Sequence, residues 1–165
     1  MGEIIITNAT ILDTREGALR SGQQIRISDT RIAEISAAVT VGSDATKIDA
    51  GGRIVMPGLI DTHVHAMACR NNMHELVTMP AYLVAAYAKV NLEDMLRRGF
   101  TSVRDAGGAE GGLAEAVRLN LFPGPRLFVP GLALAVAGGL GDIRSSSGQV
   151  AGCPVCRGDS GQGRR

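Results

Sequence analysis

The 165-residue chain has no tryptophan, only three phenylalanines and two tyrosines, and three cysteines. Cys69, Cys153 and Cys156 form no disulfide framework. Neither charge dominates: 17 basic residues stand against 16 acidic ones, so nothing argues for nucleic acid or an anionic membrane surface as partner. No apolar stretch approaches the roughly 20 residues of a membrane span. No N-terminal run combines the basic start and long apolar centre of a signal peptide. Met1-Gly2 opens no myristoylation signal, because Ile6 stands where Ser or Thr is needed. A soluble, cytoplasmic protein is the expectation. Glycine is abundant instead, with 22 residues gathered mostly in turns and in the last third.

The first third alternates apolar and polar residues. Glu3-Ile-Ile-Ile-Thr-Asn-Ala-Thr-Ile-Leu12 is a β-branched run ended by the polar stretch Asp13–Gly17. Gln24–Ser28 and Arg31–Ile35 alternate again around Asp29-Thr30, which reads as a hairpin, and Lys47–Val55 adds a further strand and turn. Period-2 alternation puts one face in a core and one in water, so residues 1–56 are expected to form a small antiparallel β-sheet. Nothing in that segment carries chemistry.

From Pro57 the rhythm changes to strand, helix, strand, helix, strand. Pro57-Gly-Leu-Ile-Asp-Thr-His-Val-His65 reads as a turn and a short strand. Alternation on a strand gives Asp61, His63 and His65 one face. Two imidazoles so placed reach one divalent ion, and imidazole suits zinc, iron, nickel or copper, so the pair alone does not choose the metal. Ala66–Met79 is expected to be irregular; its His74 is a candidate pocket residue, with a solvated loop histidine as the plainer reading. Cys69 has no partner base in its neighbourhood and reads as a small filler rather than a nucleophile.

Pro80 opens a helix to about Arg98, with Val84, Ala88, Leu92 and Met95 in one apolar stripe and Gly99 at the left-handed cap position. Phe100–Asp105 is a second strand. Asp105 at its end has three readings: a metal ligand, an acceptor orienting a histidine, or a pin for the glycine turn after it. Glu110–Leu121 is a second helix with Leu113, Ala116, Val117 and Leu121 inward, and Arg126–Val129 a third strand. Past residue 143 no element is assigned, and residues 144–165 are expected to be an irregular Gly-rich tail. Cys153-Pro-Val-Cys156 within it reads as an incidental loop, half a zinc knuckle or a redox dithiol.

Pro57–His65 resembles the entry motif of the amidohydrolase superfamily, the metal-dependent hydrolases built on a (β/α)8 barrel. Gly99–Gly108 resembles that family's second strand and Gly124–Gly131 its third, in order and spacing. The branch it resembles contains imidazolonepropionase-like enzymes and prolidase-type dipeptidases. The resemblance implies an α/β fold: residues 1–56 as part of a β-sandwich, and residues 57–143 as the first three strands of an incomplete TIM-type barrel. It implies His63 and His65 as ligands of a divalent metal, with zinc the first choice, and a small-molecule amide, cyclic amide or dipeptide-like substrate. A homo-oligomer stays open.

Other parts of that family's site, a lysine on the fourth strand, histidines on the fifth and sixth and an aspartate on the eighth, have no match here. Lys47 and Lys89 lie in the N-terminal sheet and the first helix. Relatives commonly read Gly-Gly-His-Gly-Asp where this chain has Leu140 in the histidine's place, which puts shared substrates in doubt. A full barrel takes about 250 residues. The expectation is therefore the N-terminal portion of a C–N hydrolase, with no catalytic residue assigned and no turnover by the isolated chain. The alternatives are a truncated, non-catalytic product, or a zinc or redox module built on Cys153 and Cys156.

Overall fold

The computed structural model describes residues 2–71 and 73–131. In sequence the chain divides between Pro57 and Gly58 into two compact units.

The first unit is one five-stranded sheet of β1 (Glu3–Asp13), β2 (Ala18–Ser28), β3 (Arg31–Ser36), β4 (Thr46–Asp49) and β5 (Ile54–Val55). The order is β3-β2-β1-β4, with β5 also pairing β1. Asp29-Thr30 closes the β2–β3 hairpin, with Ser28 opposite Arg31. Ile5, Ala9 and Ile25 are the buried apolar residues on β1 and β2.

The expectation of a purely antiparallel sheet is corrected. β1–β2 and β2–β3 are antiparallel, but β4 and β5 both run parallel to β1. After β3 the chain crosses to the other side of β1 through residues 37–45, and so enters β4 in the direction β1 already has. The Asp49–Arg53 turn then steps along the same strand. Ala50 N–H donates to Thr7 O at 2.9 Å and Gly52 N–H to Asn8 O at 2.7 Å, joining the β4 pairing to the β5 pairing. Asn8 sits at φ 51°, within the register shift between Ile6 and Ala9 of β1, and its Nδ2 donates to Asp49 Oδ1 at 2.9 Å.

The second unit contains β6 (Leu59–Val64), α1 (Met73–Thr78), α2 (Ala81–Arg97), β7 (Phe100–Asp105), α3 (Gly111–Arg118) and β8 (Arg126–Phe128). Among the described residues its three strands are all parallel, in the order β6-β7-β8. Parallel neighbours need crossovers, and α2 and α3 supply them. Val84, Ala88 and Leu92 on the α2 stripe are fully buried. Leu92 joins Ala66, Val103 and Leu127 in the core, with Met95, Phe100, Leu113 and Val117 packed around them. Removing one such leucine from water contributes about 1.5–3 kcal/mol. Gly99, at φ 92°, closes α2 by donating its N–H to Leu96 O, a conformation that costs glycine nothing.

Two expectations change here. The stretch after His65 is not wholly irregular, because α1 forms within it. Leu76 of α1 is buried against Val84, with Met67, Cys69 and Met79 around the pair, so tertiary packing supports a helix of only six residues. The second helix ends at Arg118, and Asn120 follows at φ 57°. Leu121, expected inward, therefore leaves the helical stripe and is 66% exposed. Among the described residues no helix is long and apolar enough to cross a membrane.

Candidate metal centre

β6 and β7 run side by side, and Val64 pairs with Asp105 at their C-terminal ends. His63 is the penultimate residue of β6 and His65 the first residue beyond it; both are exposed. A register shift lies between Asp61 and Val64, where three steps of β6 match two of β7. The simple alternation expected for Asp61, His63 and His65 is thus interrupted by a bulge. Asp61 does not extend alongside the imidazoles: its Oδ1 accepts the backbone N–H of His63 at 3.0 Å.

The two rings still come together, with centroids 5.4 Å apart and planes at 80°. Zinc bonds imidazole nitrogen at about 2.0–2.1 Å, which puts an ion about 3.2 Å from each ring centre, and two rings at a tetrahedral angle about 5.2 Å apart. The observed separation suits two ligands of one ion. His65 Nδ1 lies 3.1 Å from Gly107 O. A carbonyl only accepts, so the contact is a hydrogen bond when Nδ1 carries the proton, the tautomer whose neutral ring offers its lone pair at Nε2. Histidines that ligate metals typically donate their other nitrogen in this way. The donor set therefore fits a divalent ion as far as two nitrogens go. Among the described residues no group of three or more His, Cys, Asp or Glu is gathered for a metal.

Asp105 is 1% exposed and is consumed by the backbone. Its Oδ2 accepts Ala66 N–H at 2.7 Å; its Oδ1 accepts Gly107 N–H at 2.8 Å and Ala109 N–H at 3.2 Å. Of its three readings, the pin for the glycine turn is the one the geometry shows. Gly107 has φ 152°, and this backbone turns its carbonyl to His65. Sequence reasoning did not find Gly107 as the ring's acceptor; the one available signal was the Gly-Gly pair directly after Asp105.

Cys69 is half-buried, with its Sγ 3.9 Å from Met79 Sδ. His74 falls in α1, and its side chain is outside what the structure describes, as are Leu140, Cys153, Cys156 and the whole 144–165 tail. An open apolar cleft of about 280 Å³ is lined by Met67, Ala81, Val84, Leu113, Ala116 and Phe122, and neither histidine borders it.

Residues 54–159 match the model of the Amidohydrolase family. A dihydroorotase of Syntrophotalea carbinolica is 44% identical over 63 residues, which is 38% of this chain and 14% of that protein. A 5'-deoxyadenosine deaminase of Methanosarcina barkeri is 32% identical over 123 residues, 64% of this chain and 28% of that one. The crystal structure of a prolidase complexed with N-methylphosphonate-L-proline superposes with a TM-score of 0.85 at 39% identity, covering 93% of this chain and 38% of the prolidase. The chain thus spans well under half the length of each of these proteins.

Proposed function

Because the chain belongs to the amidohydrolase family, we propose that His63 and His65 hold a divalent metal, with zinc the first choice, in a hydrolase of C–N bonds. The substrate class is a small-molecule amide, cyclic amide or dipeptide-like compound. Enzymes of this family generally use a divalent metal, and similar proteins include a prolidase and a dihydroorotase. We read β6, β7 and β8 as the first three strands of a (β/α)8 barrel and the β1–β5 sheet as part of a β-sandwich. On that reading the histidines lie at the C-terminal end of the first barrel strand, the end where barrel enzymes carry out their chemistry.

The observation that carries the proposal is the His65–Gly107 bond beside a second imidazole at 5.4 Å. When bound, the ion supplies Lewis acidity toward a carbonyl oxygen and toward water. The chain's own residues do the rest of what is described. Gly107 O holds the His65 proton on Nδ1, so Nε2 is the nitrogen offered. Asp61 Oδ1 anchors the backbone at His63 and fixes where that ring starts.

Neither imidazole can accept a substrate proton while it serves as a ligand. Lys89 lies on α2 rather than on a strand of the second unit, and Lys47 belongs to β4 of the first. The 165-residue chain is proposed to bind metal modestly and to turn nothing over by itself, since no general base is assigned among the described residues. The test is a zinc titration of the chain and of His63→Ala and His65→Ala, with a hydrolysis assay on cyclic amides and dipeptides. Zinc binding lost in both variants, without turnover, is expected. Binding that survives both substitutions contradicts the assignment, and metal-dependent turnover by the 165-residue chain contradicts its second half.

A further inference from the structure

The carboxylate of Asp105 contacts both sides of His65 without touching the ring. Through Oδ2 it holds the N–H of Ala66, the residue directly after His65. Through Oδ1 it holds the N–H of Gly107, the residue whose own carbonyl receives the His65 ring proton. The third bond, to Ala109 N–H, closes the turn from the far side. Two further bonds tie the same pieces together: Ala106 N–H donates to Val64 O at 2.8 Å, and Asn91 Nδ2 donates to Ala66 O at 3.2 Å.

We propose that Asp105 is the positioning residue of the candidate metal centre, holding the imidazole-bearing backbone and the Gly107 carbonyl in the one relation that leaves His65 Nε2 free. This rests on the metal reading of His63 and His65, and adds to it the residue that sets the tautomer. The chemistry favours a carboxylate. Three converging N–H groups need an acceptor with two oxygens and no donor of its own, and an ionised Asp is one. An Asn of the same shape keeps one carbonyl oxygen and turns an NH2 toward at least one N–H, which loosens one side of the clamp. Ala leaves all three donors unsatisfied in a buried place. Groups that orient a metal-binding histidine are typically worth about 10–100-fold in metal affinity.

The experiment uses the 165-residue chain as wild type, Asp105→Asn, Asp105→Ala and Val103→Ala. Val103 is buried in the same strand and packs in the core with Ala66, but its side chain makes no hydrogen bond in the turn, so its variant lowers stability while leaving every donor and acceptor of the clamp in place. Two readouts are taken. Long-range proton–nitrogen NMR of the metal-free protein, in mildly alkaline buffer where imidazole is neutral, reports which His65 nitrogen carries the proton. Chelator competition reports zinc affinity. The expected wild type holds His65 on Nδ1. Asp105→Asn loses that preference and binds zinc about 10-fold or more weakly, Asp105→Ala does both more severely, and Val103→Ala changes neither.

The proposal is overturned by a wild-type His65 protonated on Nε2. It is equally overturned by an Asp105→Asn that keeps tautomer and affinity, or by a Val103→Ala that loses them to the same degree. Should Asp105→Ala not fold, the wild-type tautomer and the isosteric Asn variant still decide. A wild type that fails to bind zinc, but whose tautomer shifts in Asp105→Asn, removes the metal reading and leaves the positioning role standing.

Discussion

Gly58, the residue before β6, has an ordinary negative-φ or extended backbone, so a methyl group there is not excluded by conformation. It is excluded by Thr101. A Cβ built on Gly58 falls 2.6 Å from Thr101 Cβ and closer still to Thr101 Oγ1 and Cγ2. Rotating the threonine side chain cannot relieve this, because its Cβ is fixed by the backbone of β7. Gly58→Ala must therefore push apart the two strands at the start of the β6–β7 pairing, where Leu59 N–H donates to Gly99 O at 2.8 Å. Overpacking of this kind costs about 1–3 kcal/mol, against about 0.4–1 kcal/mol returned by the stiffer unfolded chain. The net expectation is about 1–2 kcal/mol of destabilisation, read as a fall in urea midpoint at constant slope. The decisive form is a double-mutant cycle with Thr101→Gly, which removes all three clashing atoms. In that background Gly58→Ala should cost nothing or stabilise slightly. A neutral Gly58→Ala in the wild-type background, or an equal cost in both, would refute the steric argument.

Leu92→Ala removes a fully buried side chain from the core of the second unit and should cost about 3–5 kcal/mol in denaturant unfolding; a cost under about 1 kcal/mol would mean the core closes over the gap. The Asp49 carboxyl is held below its ordinary value of 3.8, first by the Gly51 N–H and then by the Asn8 amide. A depressed folded-state pKa contributes stability at pH above the unfolded value and loses it as pH falls through the folded one. Asp49→Ala should therefore be less stable than wild type near neutrality, with the gap shrinking below about pH 3.8; a gap that stays constant across that range contradicts the assignment.

What the sequence disclosed follows the range of the interactions involved. α2 was legible because its signals are local: a proline before it, a 3.6-residue stripe at Val84, Ala88 and Leu92, and Gly99 after it. The order of β6, β7 and β8 was legible through the resemblance of three separate stretches. The parallel pairing of β4 with β1 was not, because Ile4 and Thr46 meet across 42 positions and a four-residue strand has no pattern that states its direction. α1 escaped for a related reason, since six residues without a long stripe are helical only where Leu76 finds Val84. At the candidate site the sequence offered the pair His63 and His65 and three readings of Asp105. It could not offer the Gly107 carbonyl, because a backbone group leaves no residue-type signal. Gly58 read simply as part of a turn, whereas its structural reason is the close approach of Thr101.

The central claim is that one divalent ion is held by two imidazole nitrogens, those of His63 and His65. X-ray absorption at the zinc edge of the zinc-loaded 165-residue chain tests it most directly, because scattering distances separate nitrogen from sulfur ligands. Two imidazole ligands require a first shell of nitrogen and oxygen at about 2.0–2.2 Å, with an imidazole signature from two rings and no sulfur. That signature should vanish with the zinc in His65→Ala. A sulfur shell at about 2.3 Å would place the ion on cysteine, with Cys153 and Cys156 the first suspects, and would contradict the account.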